Sequence, residues 1–248
     1  MLELLEKLRK FFEKEPAVVF DESKKLLFIG DVHGDLSTIE YVKKVVKNYE
    51  RIVFLGDFVD RGENQVEVVE EIVRLKLESN KVVLLAGNHD AYSEVWPRDF
   101  PQKLKEKFDN WKEIEDAYVQ AFQTAPIAYL NKRYKLLAIH GCIPLEEKYW
   151  DLSKWQKVKE DEIAYQILWN DPEMTFSGWR GPGIYAIPDE KIVKFLDKND
   201  LEILVRSHQP RINKIFVLDG KKLINIGSSS IYGVKAVFEL PSFRLKYI

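Results

Sequence analysis

Five short apolar runs along the chain end in the same way, on an aspartate, an asparagine or a histidine. KKLLFIGD stops at Asp31, RIVFLGD at Asp57, KVVLLAGNHD at Asn88, YKLLAIHG at His140 and LEILVRSHQ at His208. Runs that are apolar at consecutive rather than alternate positions predict strands covered on both faces. Between the first three lie the helix-like segments STIEYVKKVVKNYE (37–50) and NQVEVVEEIVRLKLES (64–79). The first opens with Ser37 and places Glu40 three residues later, which predicts a capping box. The first half therefore reads β-α-β-α-β, with an implied parallel sheet.

The pattern changes after Ala91. Phe108, Trp111, Tyr118 and Phe122 fall near one helical face, predicting a helical insertion over about 91–130 whose aromatic stripe belongs to the core. From Lys135 onward strands return. Asp219-Gly220 between two apolar runs predicts a hairpin, and VKAVFELPSFRLKYI predicts a closing pair of strands. At the other end, the leucines and phenylalanines of MLELLEKLRKFFEKEP predict an amphipathic helix over 1–15, ended by Pro16. No repeat, linker or composition break divides the chain, so residues 1–248 are expected to form one α/β domain.

Composition narrows the class. With 46% hydrophobic and 31% charged residues, the chain is globular and not disordered. A formal charge of -2 supplies no global basic field, so no nucleic-acid partner is expected. The N-terminal segment is too charged for a signal peptide, and its apolar runs are too short to span a bilayer, so no membrane partner is expected. The single cysteine, Cys142, excludes an internal disulfide and any cysteine-rich metal site, and favours a reducing, cytoplasmic setting.

The chemistry gathers where the strands stop. All 4 histidines, His33, His89, His140 and His208, lie at these ends. Residues just past the carboxyl ends of strands in an α/β sheet share one crevice. Asp31, His33, Asp57, Asp60, Asn88, His89, His140 and His208 are therefore expected to meet there. Imidazoles, carboxylates and an amide oxygen, without thiolate, suit Mn, Fe or Zn. So many donors exceed one tetrahedral site and point to two adjacent divalent ions, a pair that clamps phosphoryl transfer. RIVFLGDFVDRG (51–62) adds Arg61, whose planar fork matches phosphoryl oxygens.

GDVHG (30–34), GDFVDRG (56–62), GNHD (87–90), HG (140–141) and RSHQ (206–209) resemble, in order, the PPP-type serine/threonine protein phosphatases of the calcineurin-like metallophosphoesterases. ILWNDP (167–172) and RGPGIYAI (180–187) extend the resemblance, which covers about residues 26–233. It implies face-to-face β-sheets flanked by helices. It further implies that Asp31, His33 and Asp57 hold one metal ion and that Asp57 bridges to a second held by Asn88, His140 and His208. His89 would be the general acid, oriented by Asp60, and Arg61 and Arg180 would grip the phosphate. The implied activity is hydrolysis of phosphoserine and phosphothreonine in phosphoproteins, by attack of a metal-bridging hydroxide.

Three features qualify that resemblance. GNHD ends in Asp90 where eukaryotic members usually have Glu, and GNHD also occurs in diadenosine tetraphosphate hydrolases. A dinucleoside polyphosphate or small phosphoester hydrolase is therefore the alternative, and a non-catalytic metal-binding scaffold a remote one. Cys142 replaces a glycine usual after His-Gly and reads as a small buried filler. Tyr232, in GSSSIYG (227–233), lies one register from the family's tyrosine-bearing loop. No regulatory-subunit signature is readable.

Overall fold

The computed structural model describes residues 1–159, 161 and 163–248. α1 (Leu2–Phe12) buries Leu5, Leu8 and Phe12 along one face. It is followed by β1 (Val18–Asp21), β2 (Leu26–Ile29), α2 (Leu36–Val45), β3 (Arg51–Phe54), α3 (Gln65–Glu78) and β4 (Val82–Leu84). The expected β-α-β-α-β run is thus β2 to β4, and its strands pair in parallel. The capping box expected on Ser37 does not form. Asp35 caps α2, its carboxylate accepting from the Ser37 N–H at 3.0 Å. The Ser37 hydroxyl is otherwise engaged, donating to Asp35 and accepting from Lys235.

The helical stretch comprises α4 (Asn88–Ala91), α5 (Phe100–Lys105) and α6 (Trp111–Gln123). It ends earlier than the expected residue 130, because β5 (Ala128–Asn131) is a strand pairing with β1 and with β6 (Leu136–Ile139). Four residues are too few for a periodicity, and their pairing partners are distant or lie beyond a turn. Phe108 falls between α5 and α6 instead of on a helical face, whereas Tyr118 and Phe122 are buried on α6. Phe122 meets Phe12 of α1 edge-on at 5.6 Å.

The chain continues through α7 (Ile163–Trp169), β7 (Asp171–Pro172), β8 (Ala186–Ile187), α8 (Asp189–Lys198) and β9 (Ile203–Arg206). It closes with β10 (Lys214–Leu218), β11 (Lys221–Asn225), β12 (Ala236–Leu240) and β13 (Arg244–Tyr247). β10 and β11 form the expected hairpin, with Asp219 (φ 46°) and Gly220 (φ 82°) both left-handed, as a two-residue turn of the primed type requires.

Two sheets carry the core. One is 5-stranded, in the order β13-β12-β2-β3-β4; the other is 6-stranded, in the order β1-β5-β6-β9-β11-β10. Side chains alternate between the faces of each strand. Leu26, Phe28, Val53 and Val83 of the first sheet pack with Tyr129, Ala138, Val205 and Ile224 of the second, so the sheets lie face to face. Leu27, Ile29, Ile52 and Phe54 point outward, where they join a second cluster with Ile39, Val42, Val69 and Ile72 from α2 and α3. Both faces are covered, which is why these strands read as continuous apolar runs. Each such fully buried side chain contributes about 1.5–3 kcal/mol.

This layering positions the site. β2, β3 and β4 run parallel in one sheet, and β6 and β9 run parallel in the other. A bridge from Asp31 to Gly227 ties the end of β2 to the segment after β11. The two sheets thus deliver their carboxyl-end loops to one edge of the sandwich. No helix among the described residues is long and apolar enough to cross a membrane.

Candidate active site

Asp31, His33, Asp57, Asn88, His140 and His208 meet at that edge, none more than 7% exposed. Their loops turn sharply. His33 (φ 43°), Asp57 (φ 57°) and His208 (φ 67°) adopt left-handed backbone, which costs a non-glycine residue about 1–3 kcal/mol and is held only by the surrounding structure. Gly56 and Gly87 let two of these loops touch. A Cβ on Gly56 would lie 2.4 Å from the Gly87 nitrogen, and one on Gly87 would lie 2.3 Å from the Asp57 nitrogen. The contact brings Asp57 beside Asn88.

Backbone carbonyls aim the imidazoles. His33 Nδ1 faces Val59 O at 2.7 Å, which leaves Nε2 3.6 Å from Asp31 Oδ2 and 3.5 Å from Asp57 Oδ2. His140 Nδ1 faces Leu55 O at 2.7 Å, which leaves Nε2 2.9 Å from Asn88 Oδ1 and 3.5 Å from Asp57 Oδ2. His208 turns its Nδ1 to the same Asn88 oxygen, at 2.9 Å. Two donor groups result, Asp31-His33-Asp57 and Asp57-His140-His208, each with its donor atoms within 4.8 Å of one another. Asp57 belongs to both.

The site fits cations. Asp31 Oδ2 is buried and has no hydrogen-bond partner, an expensive state for a carboxylate oxygen unless a cation meets it. Its other oxygen accepts from the Ser207 hydroxyl and the His208 N–H. Burial pushes the Asp57 carboxyl up, but the charges of His140 and His89 outweigh it and hold the group well below the carboxylate range. Burial alone would lower His140, yet the Asp57 carboxylate raises it to about 9. His208 moves the opposite way, lowered by burial and by the charges of His140 and Arg180. As metal ligands these groups would be neutral imidazole and ionised carboxylate, so His140 would give up its proton on binding an ion.

His89 stands beside this cluster without joining either donor group. Its N–H donates to Asp57 Oδ1 at 2.9 Å, and its Nδ1 lies 2.7 Å from Asp60 Oδ2. The other Asp60 oxygen accepts from the N–H groups of Asp99 and Phe100, each at 2.9 Å. Burial would raise the Asp60 carboxyl, but hydrogen bonding to His89 and the charge of Arg98 hold it below the ordinary value. His89 Nε2 faces outward toward Arg61 Nη2, at 3.2 Å. Arg61 also donates to the Tyr232 hydroxyl at 2.7 Å. Across the cleft, Arg180 donates from Nη1 to His208 Nε2 at 2.9 Å, and its Nε lies 3.0 Å from Asp171 Oδ2.

A model of the calcineurin-like phosphoesterase family matches residues 24–211. The chain belongs to that family. It is 28% identical over 228 residues to a probable serine/threonine-protein phosphatase of Encephalitozoon cuniculi, a match covering 88% of this chain and 50% of that protein. The chain thus spans about half the length of that curated relative. Among solved structures it resembles a Saccharomyces cerevisiae serine/threonine phosphatase with similarity to human phosphatase PP5. That likeness has a TM-score of 0.77 at 22% identity and covers 100% of this chain and 88% of that one. It also resembles a cold-active protein-tyrosine phosphatase of Shewanella sp., with a TM-score of 0.58 at 18% identity, covering 96% and 81% of the two chains. At these identities the solved structures bear on the fold alone.

For a calcineurin-like phosphoesterase, several residues support this site through contacts that the sequence did not indicate. Arg98, from the helical stretch, donates to His89 O at 2.7 Å, lies 3.3 Å from Asp60 Oδ2 and reaches Glu115 at 3.2 Å. Asp171 joins Arg180 to the buried Arg206, whose Nη2 lies 2.8 Å from Asp171 Oδ1. Asp90 braces the Asp57 loop by accepting from the Asp57 and Phe58 N–H groups and from the Tyr118 hydroxyl. Burial and the Asp57 charge push its carboxyl up to about 6. Tyr232 does come over the site, its ring 5.9 Å from that of His33. The cleft is a cavity of about 660 Å³ lined by Asp57, Arg61, Asn88, His89, Arg180 and His208, with Trp96 and Ile184 on its walls.

Proposed function

We propose that this chain is a metal-dependent protein serine/threonine phosphatase, with Asp31, His33 and Asp57 holding one divalent ion and Asp57, Asn88, His140 and His208 a second. One observation carries the reading to that branch of the family. Asp171 of ILWNDP holds Arg180 over the cluster at 3.0 Å and is itself pinned by Arg206 of RSHQ at 2.8 Å. ILWNDP and RSHQ are therefore hydrogen-bonded to each other through Asp171, whose second oxygen forms an ion pair with a phosphate-binding arginine. The name of the Encephalitozoon cuniculi relative agrees with this reading.

When bound, a pair of divalent ions supplies hydroxide near neutral pH and neutralises phosphoryl charge. The remaining steps fall to the side chains. Arg61 and Arg180 bind the non-bridging phosphoryl oxygens and set the ester in line. Asp60 fixes the His89 ring through Nδ1, so that Nε2 points into the cleft. A phosphate gripped by Arg61 would free Nε2 from that guanidinium, so that Nε2 can take up a proton from solvent while Nδ1–H stays on Asp60, and then pass it to the departing seryl or threonyl oxygen. An alkoxide leaves poorly, and a placed acid is worth about 10²–10⁴-fold.

A second reading, hydrolysis of dinucleoside polyphosphates or other small phosphoesters, has one observation in its favour. Trp96 lines the cleft while 89% exposed, a face open to stacking on a base. The test is phosphate release from a phosphoserine-bearing protein near neutral pH with Mn²⁺ and with chelator, beside diadenosine tetraphosphate. Metal-dependent release from the protein that falls about 10²–10⁴-fold in His89→Asn supports the phosphatase reading. Turnover of the dinucleotide alone would replace it with the second.

A further inference from the structure

Beside the cleft lies a second cavity of about 290 Å³, lined by Arg61, Arg180 and Arg211 together with Tyr232, Thr175 and Ser177. No carboxylate of a described residue lines it. Arg180 is paired with Asp171, which does not line this space, and Arg61 donates to a neutral tyrosine hydroxyl. Arg211 forms no ion pair with any described residue. It is nonetheless held in place: its guanidinium carbon lies 5.9 Å from the Tyr232 ring centroid, and that of Arg61 lies 5.9 Å from the same centroid. An arginine on an exposed loop ordinarily extends into solvent. Here one tyrosine ring attracts both guanidinium groups, and all three side chains line the cavity.

Three guanidinium groups around one small space repel one another. Among the described residues, only Asp171 forms an ion pair with one of the three, Arg180. An oxyanion entering the cavity would relieve that repulsion and accept charge-assisted hydrogen bonds. Since one water occupies about 30 Å³ of liquid, the cavity has room for a carboxylate or a phosphate with some of its hydration. Arg61 and Arg180 border both spaces, so a substrate placing its phosphate between them at the donor cluster would carry neighbouring groups toward Arg211.

We propose that Arg211, with the guanidinium groups of Arg61 and Arg180, forms a second anion subsite that binds a carboxylate or a second phosphate carried next to the phosphate being removed. The inference deepens the phosphoprotein reading, on which it rests for the nature of the substrate. It assigns Arg211 to specificity: the protein favours phosphopeptides with an acidic or phosphorylated neighbour over neutral ones, and both over basic ones.

Binding tests this without requiring turnover. The probes are fluorescein-labelled peptides bearing a phosphonomethyl analogue of phosphoserine, with glutamate, alanine, lysine or a second phosphonate on either side. Anisotropy of Mn²⁺-loaded protein reads their affinities. The wild type is expected to bind a glutamate-flanked peptide about five- to tenfold more tightly than the alanine-flanked one. That ratio should shrink to within about twofold in Arg211→Gln and at high salt, and partly recover in Arg211→Lys. A second-phosphonate peptide that binds more tightly than the glutamate one assigns the subsite to phosphate, and the reverse assigns it to carboxylate. Equal affinity for glutamate and alanine flanks in the wild type, or an undiminished ratio in a folded Arg211→Gln, overturns the subsite. Turnover of matched phosphoserine peptides separates the two ideas. A binding preference without turnover sinks the phosphatase reading and keeps the subsite, whereas turnover without preference does the opposite.

Discussion

The Tyr232 hydroxyl touches Arg61 through one hydrogen bond of 2.7 Å, while the Tyr232 ring meets that of His33 edge-on at 5.9 Å. Removing the hydroxyl in Tyr232→Phe should free the Arg61 guanidinium without disturbing the donor cluster. A net hydrogen bond is worth about 0.5–1.5 kcal/mol. Initial rates on a phosphopeptide should therefore show KM rising about three- to tenfold, with kcat falling less than about threefold. A kcat loss of a hundredfold would place the hydroxyl in the chemical step instead. At this scale the donor residues were readable because each sits one to four residues past an apolar run, in a short motif that, except for RSHQ, carries a glycine. Tyr232 was half-readable, since its loop was recognisable while its register was not. Arg98, Asp90 and Asp171 were not readable as supports, because each acts through contacts between segments far apart in the chain. Cys142 is what its small size suggested: fully buried, with burial pushing its thiol up to about 12.

Elements were legible where a strand is covered on both faces and silent where it is short and at an edge. β2, β3, β4, β6 and β9 announce themselves as apolar runs, but β1 is a four-residue edge strand whose partner, β5, lies more than a hundred residues away. What joins them is partly polar, and it makes their stability sensitive to acid. Asp21 of β1 accepts from the Tyr129 hydroxyl of β5 and lies 3.5 Å from Arg51 Nε. Burial alone would raise its carboxyl, but the bonds from Tyr129 and the Ser23 N–H, together with Arg51, hold it below the ordinary value. A carboxyl depressed in the folded state adds stability that is fully present above its unfolded pKa of about 3.9. That contribution is lost as pH falls through the folded value. Urea unfolding between about pH 5 and pH 3 should therefore show stability falling less steeply in Asp21→Asn than in the wild type. Parallel curves would mean that Asp21 adds no pH-dependent stability.

The whole molecule is two sheets whose inner faces share one apolar cluster and whose carboxyl-end loops share one polar cluster. The donors come from both: Asp31, His33, Asp57 and Asn88 follow strands of the first sheet, His140 and His208 strands of the second. Ions held there would cross-link the sandwich at one edge, where left-handed backbone and the unpartnered Asp31 oxygen are costly. The unfolded chain has no such assembled site, so binding energy adds to folding stability, by about 2.7 kcal/mol per site at 100 times Kd. For a chain of this length that raises Tm by about 5–10 °C per site. Calorimetric melts with Mn²⁺ and with chelator should show such a rise. His208→Asn, which alters one donor group, should keep part of it. Asp57→Asn, which alters both, should keep almost none. Equal retention in the two variants would mean that Asp57 is not shared, and that the two donor groups hold their ions independently.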